Sequence, residues 1–320
     1  MVGLRGSVRV RFDKFLSMSS TTVQSDLIVL AGPTASGKTA LALRLAKKLD
    51  AEIISADSQQ VYRYFDIGTA KPTASQLAEV HHHLISVVDP AERFSAAQFQ
   101  VLADAAIEDI RSRSKRVLVV GGTGLYLRTL LHGIISAPAA NLELRRELEA
   151  EAAQKGREAL HRRLAQLDPL SAEAVEPKDL VRIIRALEIH HMTGIPASQY
   201  RQRHQFLEDR YRFALYVLSP PRDELYGAID QRAKAMFAGG LLEEVRSLVQ
   251  RGFRSVPPMS SMNYAQAIAV IEGRMGLEEA IASAAQQARR YAKRQLTWFR
   301  AEANAKHIEP PYVELDQVLR

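Results

Sequence analysis

The chain contains no cysteine. Disulfides, thiolate metal sites and cysteine nucleophiles are therefore excluded together, and a reducing compartment suits the protein. Long hydrophobic runs are missing too: the best stretch, Val117 to Val120, ends in glycines, far short of the ~18 apolar residues needed to cross a bilayer. A cytoplasmic protein with no membrane partner is expected. Acid is in short supply, with 36 Asp plus Glu against 43 Lys plus Arg, a formal net charge of +7. That balance favours a polyanionic partner over a neutral metabolite alone. Residues 1–25 lack the apolar segment of a secretory signal. They carry Arg5, Arg9, Arg11 and Lys14 against Asp13 and read as a flexible extension.

What remains is globular in composition, 47% hydrophobic and 25% charged over 320 residues, enough for one large domain or two. An apolar run from Leu27 to Ala31 stops at Gly32-Pro33 and gives way to helical spacing over Thr39 to Leu49. Ala51 to Ala56 and Arg116 to Val120 read as further strands, ending at Asp57-Ser58 and at Gly121-Gly122-Thr123-Gly124. Strands alternating with helices predict a parallel, doubly wound sheet, whose ligands gather at the carboxyl ends of the strands. Strand signals vanish between Asn141 and Gln199, return at Phe213 to Leu218, and give way to helical runs over Arg222 to Leu248 and Leu277 to Arg300. The expected architecture is an α/β P-loop three-layer core, residues 26–140 and 200–320, interrupted by a mainly helical insertion over residues 141–199.

Three segments carry chemistry. Gly32-Pro33-Thr34-Ala35-Ser36-Gly37-Lys38-Thr39 satisfies G-x-x-x-x-G-K-[ST] between a predicted strand and helix. Its glycines let successive amides face inward, the helix adds its positive end, Lys38 a cation and Thr39 a magnesium-ligating hydroxyl. Such a loop takes the phosphates of a nucleotide or any similar diphosphate. Asp57, directly after a strand, suits either a magnesium-organising carboxylate or a general base. The strand ending at Gly121 carries Thr123 and no acid, which argues against ordinary ATP hydrolysis.

Two further segments are ambiguous. Arg289, Arg290, Lys293, Arg294 and Arg300 interleave with Tyr291, Trp298 and Phe299, which suits nucleic acid or a charged face over core aromatics. His81, His82 and His83 look like a metal cluster, but neighbours on a strand face opposite sides, so they read as structural.

Taken together these segments resemble the bacterial-type tRNA dimethylallyltransferases, also called tRNA isopentenyl transferases. The resemblance spans roughly residues 26 to 312 and is carried by GPTASGKT at 32–39, ADSQQVYRYFDIGTAKP at 56–72, HHLI at 82–85, GGTGLYLRTLL at 121–131, RIIRALEI at 182–189 and RRYAKRQLTWFR at 289–300. It implies transfer of a dimethylallyl group from dimethylallyl diphosphate to N6 of adenosine 37 in tRNA, with Mg²⁺ as cofactor and diphosphate released, in a monomeric enzyme. By position in matching motifs, Gly32 through Thr39 would bind the diphosphate, Thr39 the magnesium, and Asp57 would take the amine proton, with Lys38 and Thr123 also catalytic. Asp57, Ser58, Gln59, Gln60, Thr123, Arg145, Arg182, Arg185, Asn263 and Tyr264 would contact tRNA, and the helical insertion would clasp the anticodon stem-loop.

The chain departs from the family pattern at a few positions. Ala228 stands where the family usually has arginine, leaving Arg232 as the remaining diphosphate candidate, and Asn263 replaces a usual glycine. Ser86 replaces a common aspartate and Lys178 a usual asparagine. Two other readings fit the residues alone: a P-loop kinase that uses ATP, and an RNA-binding module with a degenerate loop.

Overall fold

The computed structural model describes residues 26–135, 137–204, 208–312 and 315, so the extension over residues 1–25 lies outside the described residues. Among these, β1 (Leu27–Ala31), β2 (Ala51–Ser55), β3 (His82–His83), β4 (Arg116–Gly121), β5 (Phe213–Leu218) and β6 (Ala305–Ile308) form one sheet in the order β3-β2-β4-β1-β5-β6. Every pairing is parallel. The helices in chain order are α1 (Lys38–Leu49), α2 (Ala74–Glu79), α3 (Ala96–Ser112), α4 (Gly124–His132), α5 (Leu142–Lys155), α6 (Arg157–Leu167), α7 (Pro169–Ala174), α8 (Leu180–Thr193), α9 (Ala197–His204), α10 (Arg222–Ala238), α11 (Leu241–Gln250), α12 (Tyr264–Ile271) and α13 (Leu277–Arg300).

Central β1 shows why the core forms. Leu27, Val29 and Ala31 face a cluster with α3, α4 and Phe299, while Ile28 and Leu30 face α1. A strand covered on both faces needs an unbroken apolar run, and each buried Leu, Ile or Val stabilises the fold by about 1.5–3 kcal/mol. Because β4 separates β1 from β2, the turns after β1, β4 and β2 stand side by side. The ladder extends into those turns, with Ala56 N–H donating to Val120 O at 2.7 Å and Thr123 N–H to Ala56 O at 3.3 Å.

Helices α5 to α9 bury a cluster of their own, including Leu144, Leu148, Leu160, Leu164, Ile183 and Leu187. Glu188 of α8 is fully buried there, accepting from Arg145 at 2.8 Å, from Arg185 at 2.5 Å and from the Asn141 amide at 2.7 Å. A third cluster joins Val61 and Phe65 to α11 and α12. The helical run expected over Arg222 to Leu248 is broken at Gly239-Gly240, where Gly240 takes φ 100° and turns the chain into α11.

Candidate active site

The three turns enclose a cavity of about 490 Å³, closed on its far side by α10 and α13. Its floor is the loop after β1. Gly37 precedes α1 at φ 85° with no side-chain cap, so the first-turn amides of α1 lack partners from a capping side chain. Residues Thr34 to Thr39 line the cavity. Gly32 and Pro33 act from behind, their carbonyls accepting from Lys38 Nζ at 3.0 and 2.5 Å. Burial, aided by repulsion from Arg232, lowers the Lys38 pKa to about 7, with Asp57 opposing the shift.

Arg232, one turn beyond Ala228 on α10, lines the same space with Nη1 3.5 Å from Thr34 Oγ1. Its own pKa is lowered by burial. Two poorly solvated cations thus face a single nearby carboxylate, Asp57, an arrangement that a polyanion would neutralise. Beside Arg232 the wall turns apolar, with Ile229, Ala233 and Met236 of α10 opposite Ala288 of α13.

Asp57 caps its own turn. Its Oδ1 accepts the amides of Gln59 at 2.8 Å and Gln60 at 3.3 Å, leaving Oδ2 as its other acceptor. Ser58, Gln59 and Gln60 also line the cavity, and the buried Gln59 Oε1 has no hydrogen-bond partner among the described residues. Thr123 sits just behind. Its hydroxyl accepts the Ser58 amide at 3.1 Å; Tyr291, a cavity residue, has its pKa pushed up to about 12 chiefly by burial, with Thr123 opposing the shift.

Gln295 of α13 was not singled out by motif chemistry. Its Oε1 accepts the Thr34 amide at 2.9 Å and its Nε2 donates to Gly122 O at 2.8 Å. A Cβ on Gly122 would lie 2.2 Å from that Nε2, and one on Gly124 2.3 Å from Trp298 Nε1, so both glycines are required by the close approach of α13. One signal existed: Gln295 is an amide in the buried stripe that continues through Ala292 and Phe299.

The remaining expected residues divide. Asn263 lines the cavity at φ 75° and ψ −49°, outside the left-handed helical well and strained for any residue but glycine, and its side chain donates to Gly68 O at 2.8 Å. Tyr264, expected beside it on the RNA, is instead fully buried against Phe65, its hydroxyl donating to Glu244 at 2.5 Å. An aromatic ring at the start of an apolar helix has more to gain from the core than from solvent. Arg145 and Arg185 lie outside the cavity, bound to Glu188, and Arg182 lies outside it on the surface beside Asp179. Of the basic residues on α13, Arg290 and Arg294 line the cavity while Arg289 pairs with Asp230; Trp298 and Phe299 pack inward. Ser86 accepts from the buried Lys71 ammonium at 2.8 Å, with Asp66 supplying the carboxylate at 2.7 Å.

Comparison with known proteins identifies the family. A family model described as IPP transferase matches residues 60–302. A tRNA dimethylallyltransferase of Myxococcus xanthus is 62% identical over 286 residues, covering 89% of this chain and 93% of that protein. Another from Anaeromyxobacter dehalogenans is 54% identical over 89% of this chain and 95% of its own length. Among solved structures, the full-length tRNA isopentenylpyrophosphate transferase of Bacillus halodurans superposes with a TM-score of 0.68 at 39% identity, covering 92% of this chain and 95% of that one. A eukaryotic dimethylallyltransferase captured acting on tRNA superposes with a TM-score of 0.76 at 26% identity, covering 90% of this chain and 74% of that one. With the family model matching most of its length and identities above one half to such relatives, the chain belongs to the IPP transferase family.

Proposed function

We propose that this enzyme transfers the dimethylallyl group of dimethylallyl diphosphate to N6 of adenosine 37 in tRNA. The observation that carries the reading is the cavity itself, in which the helix-start amides and two cations adjoin an apolar wall, with the Asp57 carboxylate lining the same space. An adenosine phosphate would leave that apolar wall against a polar ribose, whereas a five-carbon chain covers it.

In the proposed reaction the diphosphate rests on the amides of residues 34–39, Lys38 and Arg232. The exocyclic amine of a flipped adenine approaches from the other side, past residues 57–60. Its lone pair is delocalised into the ring, so Asp57 Oδ2 takes the proton as the N6–C1 bond forms and the C1–oxygen bond breaks. Both electrons of that bond leave with diphosphate, whose charge Lys38 and Arg232 stabilise. Thr123 keeps the Asp57 turn in place through the Ser58 amide. The Thr39 hydroxyl, a hard oxygen donor beside the phosphate-binding amides, fits Mg²⁺, which when bound would neutralise charge on the departing diphosphate. Helices α5 to α9 grip the anticodon stem.

The test is incorporation of labelled dimethylallyl groups into an anticodon stem-loop, with Mg²⁺ and without ATP. Retention of label on filters is expected. A strict requirement for ATP with phosphate transfer would favour the kinase reading, and RNA binding without incorporation would favour a non-catalytic module.

A further inference from the structure

Alternation along a strand separates His82 from its neighbours and, by the same rule, puts His81 and His83 on one side. Parallel pairing of Ile53 with His82 and Ile54 with His83 then brings the next strand's Glu52 onto that side as well. Glu52 is buried, His83 half-buried and His81 exposed. Their ligand atoms all lie within 4.8 Å of one another, the two imidazole rings are 4.5 Å apart between centroids, and His83 Nε2 stands 2.7 Å from Glu52 Oε2. His82 points the other way: its Nδ1 bonds Val80 O at 2.7 Å, and its ring borders a small cavity beside Thr39.

We infer that Glu52, His81 and His83 form a site for a borderline divalent transition-metal ion, Zn²⁺ being the best match, at the β2–β3 edge of the sheet. Two imidazoles and one carboxylate suit Zn²⁺ and its Irving–Williams neighbours, whereas Mg²⁺ prefers an all-oxygen shell. This site is therefore chemically distinct from the oxygen donors of the cavity. Metal–ligand bonds of roughly 2.0–2.2 Å place tetrahedral ligand atoms roughly 3.3 Å apart. Reaching that geometry needs a small opening of the His83–Glu52 pair and a rotation of exposed His81.

The ion would take the place of the hydrogen between His83 Nε2 and Glu52, the neutral imidazole then carrying its proton on Nδ1. Arg113 now compensates Glu52, with Nη2 2.7 Å from Oε2 and Nε 3.3 Å from Oε1, and it also pairs with Asp109. When the metal takes Oε2, the guanidinium keeps Asp109, so no cation is stranded. Water would complete the coordination. The consequence is mechanical: β3 has only two residues and lies at the sheet edge, and a metal would fasten it to the strand that delivers Asp57.

The test titrates Zn²⁺ into the chelator-stripped full chain, followed by calorimetry, by the visible spectrum of a Co²⁺ substitute and by thermal melting. One ion per chain is expected, with a tetrahedral Co²⁺ spectrum and a melting temperature that rises with Zn²⁺ but not with Mg²⁺. His81→Ala, an exposed change that leaves the metal-free melting temperature unaltered, should weaken binding by at least about tenfold. His83→Ala should remove it. A His190→Ala/His191→Ala variant controls for the other neighbouring histidine pair and should bind normally. Absence of one-to-one binding, or binding that survives His81→Ala undiminished, would overturn the assignment.

Discussion

The side-chain oxygen of Gln295 accepts the backbone N–H of Thr34 at 2.9 Å, tying the phosphate-binding loop to a helix 261 residues further along the chain. The other end of the same amide donates to Gly122 O, so one side chain sets the spacing of the β1 and β4 turns. Replacing it with alanine leaves the buried Gly122 carbonyl unpaired, at a cost of about 1–3 kcal/mol, and frees the partly exposed Thr34 amide. Gln295→Ala should lower the melting temperature and raise KM for the prenyl diphosphate more than KM for RNA. An unchanged KM for the diphosphate in a folded variant would show that the loop holds its shape without the tie.

Asp57 has two oxygens with separate duties, which allows a clean dissection. Asn at this position keeps an acceptor for the Gln59 and Gln60 amides but cannot take a proton. Asp57→Asn is expected to reduce kcat by about 10²–10⁴-fold while the anticodon stem-loop binds within a few-fold of normal. Filter binding and single-turnover incorporation measure the two effects, and near-normal turnover would dismiss the base assignment.

The depressed pKa of Lys38, about 7, makes diphosphate binding depend on pH. Above that value the free enzyme loses the Lys38 proton. An incoming polyanion restores it, so binding takes up a proton and affinity falls by up to about tenfold per pH unit. Calorimetry in buffers of different ionisation enthalpy should detect the uptake.

Arg232 contributes to that depression by repulsion, so removing it has an effect with a sign. Arg232→Ala should weaken diphosphate binding and at the same time move the pH break upward, because Lys38 loses a competing cation. A variant with weaker binding and the same break would mean that burial alone sets the Lys38 pKa.

Glu188 holds Arg145 and Arg185 in the interior of the helical insertion. Both guanidiniums are partly exposed and can recover water, so Glu188→Ala should cost about 2 kcal/mol instead of the larger penalty of a stranded buried charge. Denaturant unfolding reads this directly.

Much of the sheet was legible because β1, β4 and β5 are buried on both faces and spell continuous apolar runs. The histidine triplet reads as strand without an apolar run, while Ala-Lys-His-Ile of β6 gives no strand signal, because edge strands tolerate polar residues. The nucleotide-like loop and Asp57 were legible from motif spacing and Arg232 from the family resemblance, and all three line one cavity. Side-chain partners were less legible: the Arg145 and Arg185 guanidiniums are held by buried Glu188, and the Tyr264 hydroxyl donates to Glu244 of α11, contacts that residue type alone does not announce.

The sequence by itself determined the phosphate-binding loop and the three strands that lead into the cavity, because glycine torsions, apolar runs and turn chemistry act over a few neighbouring residues. Only the tertiary structure decided that Gln295 ties the loop, that an apolar wall stands beside Arg232, and that Glu52 joins two histidines, because each depends on side chains brought together by strand order and helix packing across large separations in the chain.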